Sequence, residues 1–270
     1  MFIRRALREM PISLVILAVW ALMAVVGGFF PLQSQVVNLD FSFQGPQWSA
    51  WFGYDGLGRP MLHRLIDGAQ ISFFVSIAVV TISMCIGTCI GIYSAYTGGW
   101  VDAVLVRVID IFIAFPGILL VIALAAVLGP GLDNVILAMS VAGWVGFARL
   151  ARAQVLSLKS RDHVVAAIAL GVGSATIMRK HLFPLITAPI IIEATFGIAA
   201  VIVAEAGLSF LGLGVQPPVA SWGSMIKDGT SSQLYAPHMA FTSGLMLVLV
   251  VLAVNRAGDW LRDQLDVKSR

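Results

Sequence analysis

The chain has 270 residues, of which 59% are hydrophobic and only 11% are charged, and its net charge is +3. Soluble domains carry about 25% charged residues, so this composition excludes a soluble globular protein and indicates a protein that lies in lipid. The small positive charge is spread over several segments and does not indicate nucleic-acid binding. The two cysteines lack the spacing of a disulfide framework or a metal-binding cluster.

The first part of the chain contains one predicted span and one mixed segment. Residues 1–10 form a short basic head, and the uncharged stretch 11–30 predicts a first transmembrane helix that begins at a proline. No small-x-small cleavage site follows this stretch, so we expect it to be retained. Residues 31–69 combine turn-forming residues with Trp48 and Trp51, which favours an extracytoplasmic, interfacial segment.

Residues 70–258 are predicted to form a membrane core with five further spans. The second span lies within the uncharged residues 68–101, where Gly87 and Gly91 would let another helix approach closely. Such glycine pairs are common in packed membrane helices, so they are weak as a dimerisation motif.

The third and fourth spans are predicted as residues 111–132 and 134–148. Pro116 is expected to loosen one backbone hydrogen bond and to kink the third span. Asp110 stands at the start of that span, where an acid close to the interface costs little. It is therefore either a structural residue or a part of a translocation path.

The fifth span, residues 185–211, carries two acids, Glu193 and Glu205. Ionisable groups inside membrane helices usually face a bundle interior or a water-filled path. The two acids are separated by about 120° around a helix, so a paired-carboxylate site is not expected, and each is a separate candidate for the translocation path. The sixth span is predicted as residues 237–255, followed by an amphipathic tail, 259–270.

The loop 149–184 between spans four and five contains six of the seventeen Lys and Arg residues. Asp162 or Ser160 can cap a short helix there, and Gly171 can end it in a left-handed turn. A second helix is predicted from Ser174 to about residue 183. Apolar contact is expected from Val164, Val165 and Ile168, beside a narrow face of Ala166, Ala167 and Gly171. This pattern favours docking into a groove of another protein or, as an alternative, an ordinary basic loop.

The segment after span five reads as a helix end followed by a rigid corner. Gly212 and Gly214 permit a reversal of the chain, a proline pair begins at Pro217, and Trp222 is expected to act as an anchor. Ser209 does not complete the G-x-S-x-G pattern of hydrolases. The chain also contains no G-x-x-x-x-G-K-[ST] motif, so we expect no ATP hydrolysis by the chain itself and no enzymatic activity.

The distribution of cations predicts the orientation in the membrane. With six spans, both termini and the loop 149–184 lie on one side, together with fourteen of the seventeen Lys and Arg residues. The positive-inside rule places that side in the cytoplasm.

The loop 149–184 resembles the cytoplasmic loop of ABC-importer permeases, which follows the pattern EAA-x3-G-x9-I-x-L-P. Here Val165 replaces the glutamate, His181 the isoleucine and Phe183 the leucine. The resemblance assigns contact with an ATPase subunit to Asp162, Val165, Ala166, Ala167, Gly171, Ser174, His181 and Pro184.

Three further stretches, 53–72, 107–116 and 206–229, resemble the dipeptide, oligopeptide and nickel branch of these permeases. The motif residues to which we assign structural roles are Gly58, Arg59, Gly207, Ser209, Gly212, Gly214, Pro217, Trp222 and Gly223.

The resemblance implies a six-helix permease of the type I importer fold with a cytoplasmic coupling helix over 162–171. It also implies a bacterial inner membrane location, a second homologous permease as heterodimer partner, two ABC ATPase subunits that bind ATP and magnesium, and an extracytoplasmic substrate-binding protein. No cofactor is expected on this chain. The implied function is peptide import by alternating access. Import of nickel or a metallophore, a proton-coupled secondary transporter, and an assembly subunit without a pore remain alternatives.

Overall fold

The computed structural model describes residues 10–29, 32 and 34–266. The architecture is helical, with an irregular segment, residues 34–60, that contains the 3-10 turn Leu39–Phe41 and precedes the second long helix. Most of the basic head and the last four residues of the tail lie outside the described residues. The helices are α1 (Pro11–Val26), α2 (Met61–Thr97), α3 (Gly99–Ala114), α4 (Gly117–Leu128), α5 (Leu132–Leu158), α6 (Asp162–Ala169), α7 (Ser174–Phe210), α8 (Trp222–Ser231) and α9 (Pro237–Asp266).

Five helical segments in the described part of the chain are long and apolar enough to cross a membrane. They are α1 with the 3-10 turn that follows it, α2, α5, α7 and α9. The multi-pass, all-α fold class predicted from the composition is therefore confirmed. Each of the longer helices greatly exceeds the roughly 20 residues that a span requires.

The third span, predicted as residues 111–132 with a kink at Pro116, is interrupted at that proline by a full break. α3 ends at Ala114, α4 begins at Gly117, and the two helices are bent by 86°. Pro116 explains the break, because its ring fixes the backbone and disfavours a helical conformation for the residue before it.

The bent pair nevertheless connects the two ends of α5. Asp102, near the start of α3, contacts Arg152 near the end of α5, whereas Asn134, near the start of α5, donates to the carbonyl of Leu128 at the end of α4. This path is that of a single crossing, so it supports the count of six spans, which stays a prediction.

Two predicted helix boundaries differ from the structure. α2 begins at Met61, inside the segment 31–69, and its first turns contain Arg64 and Asp67. The predicted end of the loop's second helix near residue 183 is wrong, because Ser174–Phe210 is one helical run with a π-helical stretch, Ile177–Leu182. Pro184 stands at the first turn of the regular α-helical part, where its missing N–H is tolerated.

The core is built on the close contact of α2 with α5. A Cβ atom on Gly87 would collide with the carbonyl of Trp144, and one on Gly91 with the carbonyl of Ala148. The two glycines therefore serve the approach of a helix of the same chain, as predicted for close packing. One end of the bundle is marked by α6 and the other by α8, and we call these the α6 end and the α8 end.

Candidate coupling and translocation sites

The short helix α6 is present where the loop pattern predicts it. Arg161, not Asp162 or Ser160, occupies the N-cap, and no side chain caps the helix, so the predicted capping is wrong. Asp162 lies in the first turn, where its charge complements the helix dipole. Gly171 has φ +78° and follows the helix, as predicted, and the Val172 N–H donates to the Ala167 carbonyl at 3.0 Å.

The predicted docking face of α6 is divided between the interior and the surface. Val164 and Ala167 are buried in this chain, whereas Val165 and Ile168 are each half exposed. Leu170, just after the helix, is 83% exposed. The surface available to a partner, which we call the α6 apolar face, therefore consists of Val165, Ile168 and Leu170.

The remaining loop residues connect α6 to the long helices. Ser174 begins α7, His181 lies half buried in its π-helical stretch, and Pro184 is exposed. Beneath α6, Val164 joins a cluster of buried apolar side chains from the ends of α2, α5 and α7. The cluster includes Ile92, Ala95, Val155, Leu158, Ile177, Leu182 and Ile186.

An ion pair that the sequence did not indicate joins α3 to α5 near this cluster. Arg152 donates to both carboxylate oxygens of Asp102, at 2.7 Å each, and Ser94 donates to the same carboxylate at 2.9 Å. Lys159 also donates to the carbonyl of Ala95. The end of α5 thus contacts both the cluster beneath α6 and the start of α3.

The three candidate acids of the translocation path occupy different environments. Glu205 is 2% exposed and accepts a hydrogen bond of 2.7 Å from Ser209. Asp110 is exposed on α3. Glu193 lines a cleft of about 340 Å³ between α2, α4, α5 and α7. The structure does not bring the three acids together, in agreement with the angular argument for Glu193 and Glu205.

The cleft around Glu193 is apolar apart from this carboxylate and the hydroxyl of Ser83. Its other walls include Val79, Gly117, Phe147 and Gly197, and Glu193 is the one charged group among the described residues that line it. The sequence suggested Glu193 as a pore residue, but it gave no means of finding which other residues share its cavity.

A buried charge cluster, absent from the sequence predictions, lies at the α8 end. The Asp55 carboxylate accepts bonds from Arg59 Nε at 2.7 Å and Arg64 Nη1 at 2.9 Å, and all three residues are buried. Arg64 also faces Asp228 at 3.6 Å. Gly58 has φ +68°, and a Cβ there would collide with the Asn38 carbonyl. Sequence reasoning could have found this cluster from the position of Asp55, four residues before Arg59 and nine before Arg64.

The segment after α7 confirms a glycine-dependent corner. Gly212 has φ +86°, and the Leu213 N–H donates to the Leu208 carbonyl. A Cβ on Gly214 would collide with Ser209, and one on Gly223 with the backbone of Ala206. The proline pair at Pro217 contains a cis peptide bond, and no structural constraint is found at Gly207.

Trp222, which the sequence predicts to act as an anchor, lies in the interior of the chain. It is 2% exposed, and its indole N–H donates to the Leu65 carbonyl at 3.0 Å. A Cβ on Gly68 would collide with its ring. Trp222 is therefore a core residue that locks α8 against α2.

Long apolar helices, one of them broken beside a cleft with a membrane carboxylate, define a polytopic membrane transport protein. Residues 87–270 match the family described as binding-protein-dependent transport system inner membrane component. The chain belongs to this family, which confirms the resemblance to importer permeases.

Two curated relatives and one solved structure support this assignment. The chain is 38% identical over 260 residues to the dipeptide transport system permease protein DppC of Alkalihalophilus pseudofirmus, covering 96% of this chain and 86% of that protein. It is 42% identical over 224 residues to the glutathione transport system permease protein GsiD of Escherichia coli, covering 83% and 74%. A chain of the inward-facing MetNI methionine ABC transporter superposes with a TM-score of 0.61 at 20% identity, covering 76% of this chain and 97% of that chain. The last comparison supports the fold alone.

Proposed function

We propose that this chain is a permease subunit of an ATP-driven ABC importer that carries peptides across the inner membrane. The observation that carries the proposal is its similarity over most of its length to permeases named for dipeptide and glutathione transport. Dipeptides and glutathione are both short peptides, so the proposed substrate class is a short peptide.

The proposed assembly follows the family plan. A second homologous permease completes the pore, two ABC ATPase subunits bind ATP and magnesium, and a binding protein delivers the peptide from outside. The termini and the α6 end lie in the cytoplasm, an orientation supported by the excess of Lys and Arg residues there. The coupling residues are those of the loop, from Asp162 to Pro184.

The α6 apolar face is the proposed contact with an ATPase subunit. Its side chains are half exposed or more, while Val164 packs the helix against the cluster of α2, α5 and α7. In this proposal ATP binding draws the ATPase subunits together, α6 moves with them, and the helix ends of the cluster follow. The pore then opens outward to accept the peptide, and hydrolysis resets it. The outward-open and inward-open states must differ in their affinity for the peptide.

Replacing Ile168 with Glu is expected to lower ATP-driven peptide uptake at least about tenfold, because a charge in an apolar docking face removes a central contact. The side chain is half exposed in this chain, so the fold itself tolerates the change. Uptake, assembly and ATP hydrolysis are measured on the full complex in proteoliposomes.

The matched control is Leu234→Glu, the same kind of change at a fully exposed residue near the α8 end. This variant should leave the association with the ATPase subunits and the basal rate of ATP hydrolysis at the parental level. Equal effects of both variants on assembly would contradict the docking role. Uptake by the parental complex with a proton gradient and no ATP would instead show a secondary transporter.

A further inference from the structure

The carboxylate of Glu193 lies inside the membrane-spanning part of the chain. Eight residues of the predicted fifth span, 185–211, precede Glu193 and eighteen follow it. A Cβ atom on Gly146, within the predicted fourth span, would lie 3.6 Å from Glu193 Oε1. Glu193 therefore stands within two spanning helices, nearer to the α6 end than to the α8 end.

Within the described residues this carboxylate has no hydrogen-bond or ion-pair partner, although its side chain is exposed in the cleft. An ionised group facing hydrocarbon is strongly disfavoured, and acids in spanning helices face protein interiors or water-filled paths. The cleft must therefore be closed off from lipid.

The broken helix leads independently to the same conclusion. Between α3 and α4, Phe115 and Pro116 leave the helical conformation and are exposed in this chain, and Gly117 and Ile118 line the cleft with Glu193. Non-helical backbone at membrane depth is tolerated only where it is buried in protein or lines a cavity with water. Two unrelated features thus require a polar environment at one place.

The chemistry of the walls specifies the group that the cleft can hold. No Lys, Arg or His occurs among its described lining residues, so Glu193 has no internal counter-ion. Its volume of about 340 Å³ falls within the size range of pockets for small ligands. A complementary ligand has one positive group that meets the carboxylate and an apolar body that contacts Val79, Phe147 and Gly197.

We propose that Glu193 binds the amino-terminal ammonium group of the peptide during its passage, with the apolar walls of the cleft in contact with the peptide's side chains. This inference rests on the proposed function and adds the chemical group that is recognised. A carboxylate and an ammonium form a charge-assisted hydrogen bond, the stronger kind in a site of low polarity. A single such contact also leaves the peptide free to move on once the pore changes conformation.

The first test compares Glu193→Gln, Glu193→Asp and the control Asp40→Asn in the full complex with its binding protein. E193Q keeps the shape and removes the charge, so we expect uptake of a dipeptide with a free amino terminus to fall about tenfold or more. E193D should recover most of the uptake, and D40N, which changes an exposed carboxylate in the irregular segment outside the cleft, should transport at the parental rate. Basal ATP hydrolysis should be unchanged in all three variants.

A second test measures the ligand's charge directly, without the selectivity of the binding protein. Ala200 is exposed and lines the same cleft two helical turns beyond Glu193. In a chain with Cys85→Ala and Cys89→Ala, which removes two exposed thiols, Ala200→Cys is labelled with a water-soluble maleimide. We expect the free dipeptide to slow labelling, its N-acetylated form not to do so, and the protection to vanish when E193Q is added.

The outcomes separate this inference from the function on which it rests. Absence of ATP-dependent uptake by the parental complex would overturn the proposed function. Normal parental uptake with unaffected E193Q, or a loss of basal ATP hydrolysis in E193Q, would overturn the role of Glu193 alone. Equal protection by both peptides, or failure of the maleimide to react, would show that another group or a partner chain occupies the cleft and would overturn the assignment.

Discussion

Replacing Asp55 with Asn is expected to lower the free energy of unfolding by about 3–5 kcal/mol, the range for breaking a buried ion pair. The Asp55 Oδ1 atom accepts backbone N–H groups of Leu57 and Arg59, and Oδ2 accepts the two guanidinium groups of Arg59 and Arg64. The amide can keep the first set, but its NH₂ group would then face two buried cations. Unfolding in mixed detergent and SDS micelles measures the change.

The control for this variant is Asp228→Asn. Asp228 lies 3.6 Å from Arg64, and its side chain is 53% exposed, so the loss is expected to stay below about 1 kcal/mol. Similar losses for the two variants would mean that burial does not set the strength of this cluster. A loss for D55N within the error of the parental value would refute its stabilising role.

Replacing Trp222 with Ala is expected to cost about 3–5 kcal/mol of stability, the usual cost of truncating a buried aromatic side chain. The indole fills space among α1, α2, α8 and α9, in a cluster with Trp20, Met61, Leu65 and Met239. Its removal would also leave the Leu65 carbonyl without its donor. The same unfolding assay applies.

Two further variants separate the contributions of Trp222. Trp222→Phe keeps an aromatic ring and loses the donor, so we expect a loss of about 1–3 kcal/mol. Trp48→Ala removes an indole that is 98% exposed and should change the stability by no more than about 0.5 kcal/mol. If W222A and W48A had equal effects, Trp222 would not be part of the core.

The two ends of the bundle are held in different ways, and this suits a permease that must move. At the α8 end, the buried charges and Trp222 join the irregular segment, α2 and α8. At the α6 end, apolar contacts and the partly buried ion pair of Asp102 and Arg152 hold the helices. Water reaches this pair more readily than the buried cluster of Asp55, Arg59 and Arg64, so breaking it is expected to cost less than breaking that cluster.

Much of the candidate coupling site could be predicted from the sequence because it depends on the order of residues within one short segment. The helix of the coupling loop and its left-handed end at Gly171 follow from residue types at fixed spacing along one short segment. The pattern did not reveal which side of α6 faces outward. Val164 and Ala167 turn inward only because the ends of α2, α5 and α7 lie beneath them.

The sequence by itself determined that this is a multi-pass helical membrane protein of the importer permease family, because apolar length and motif spacing are properties of the chain read in order. Only the tertiary structure decided that the first turn of a spanning helix contains Arg64, that Trp222 lies in the core, and that Glu193 lines a cleft beside a broken helix. Each of these depends on residues distant in sequence: Trp222 meets Leu65 across 157 positions, and Arg152 meets Asp102 across 50. Packing brings such groups together, and it changes a charge from a marker of the surface into a buried structural contact.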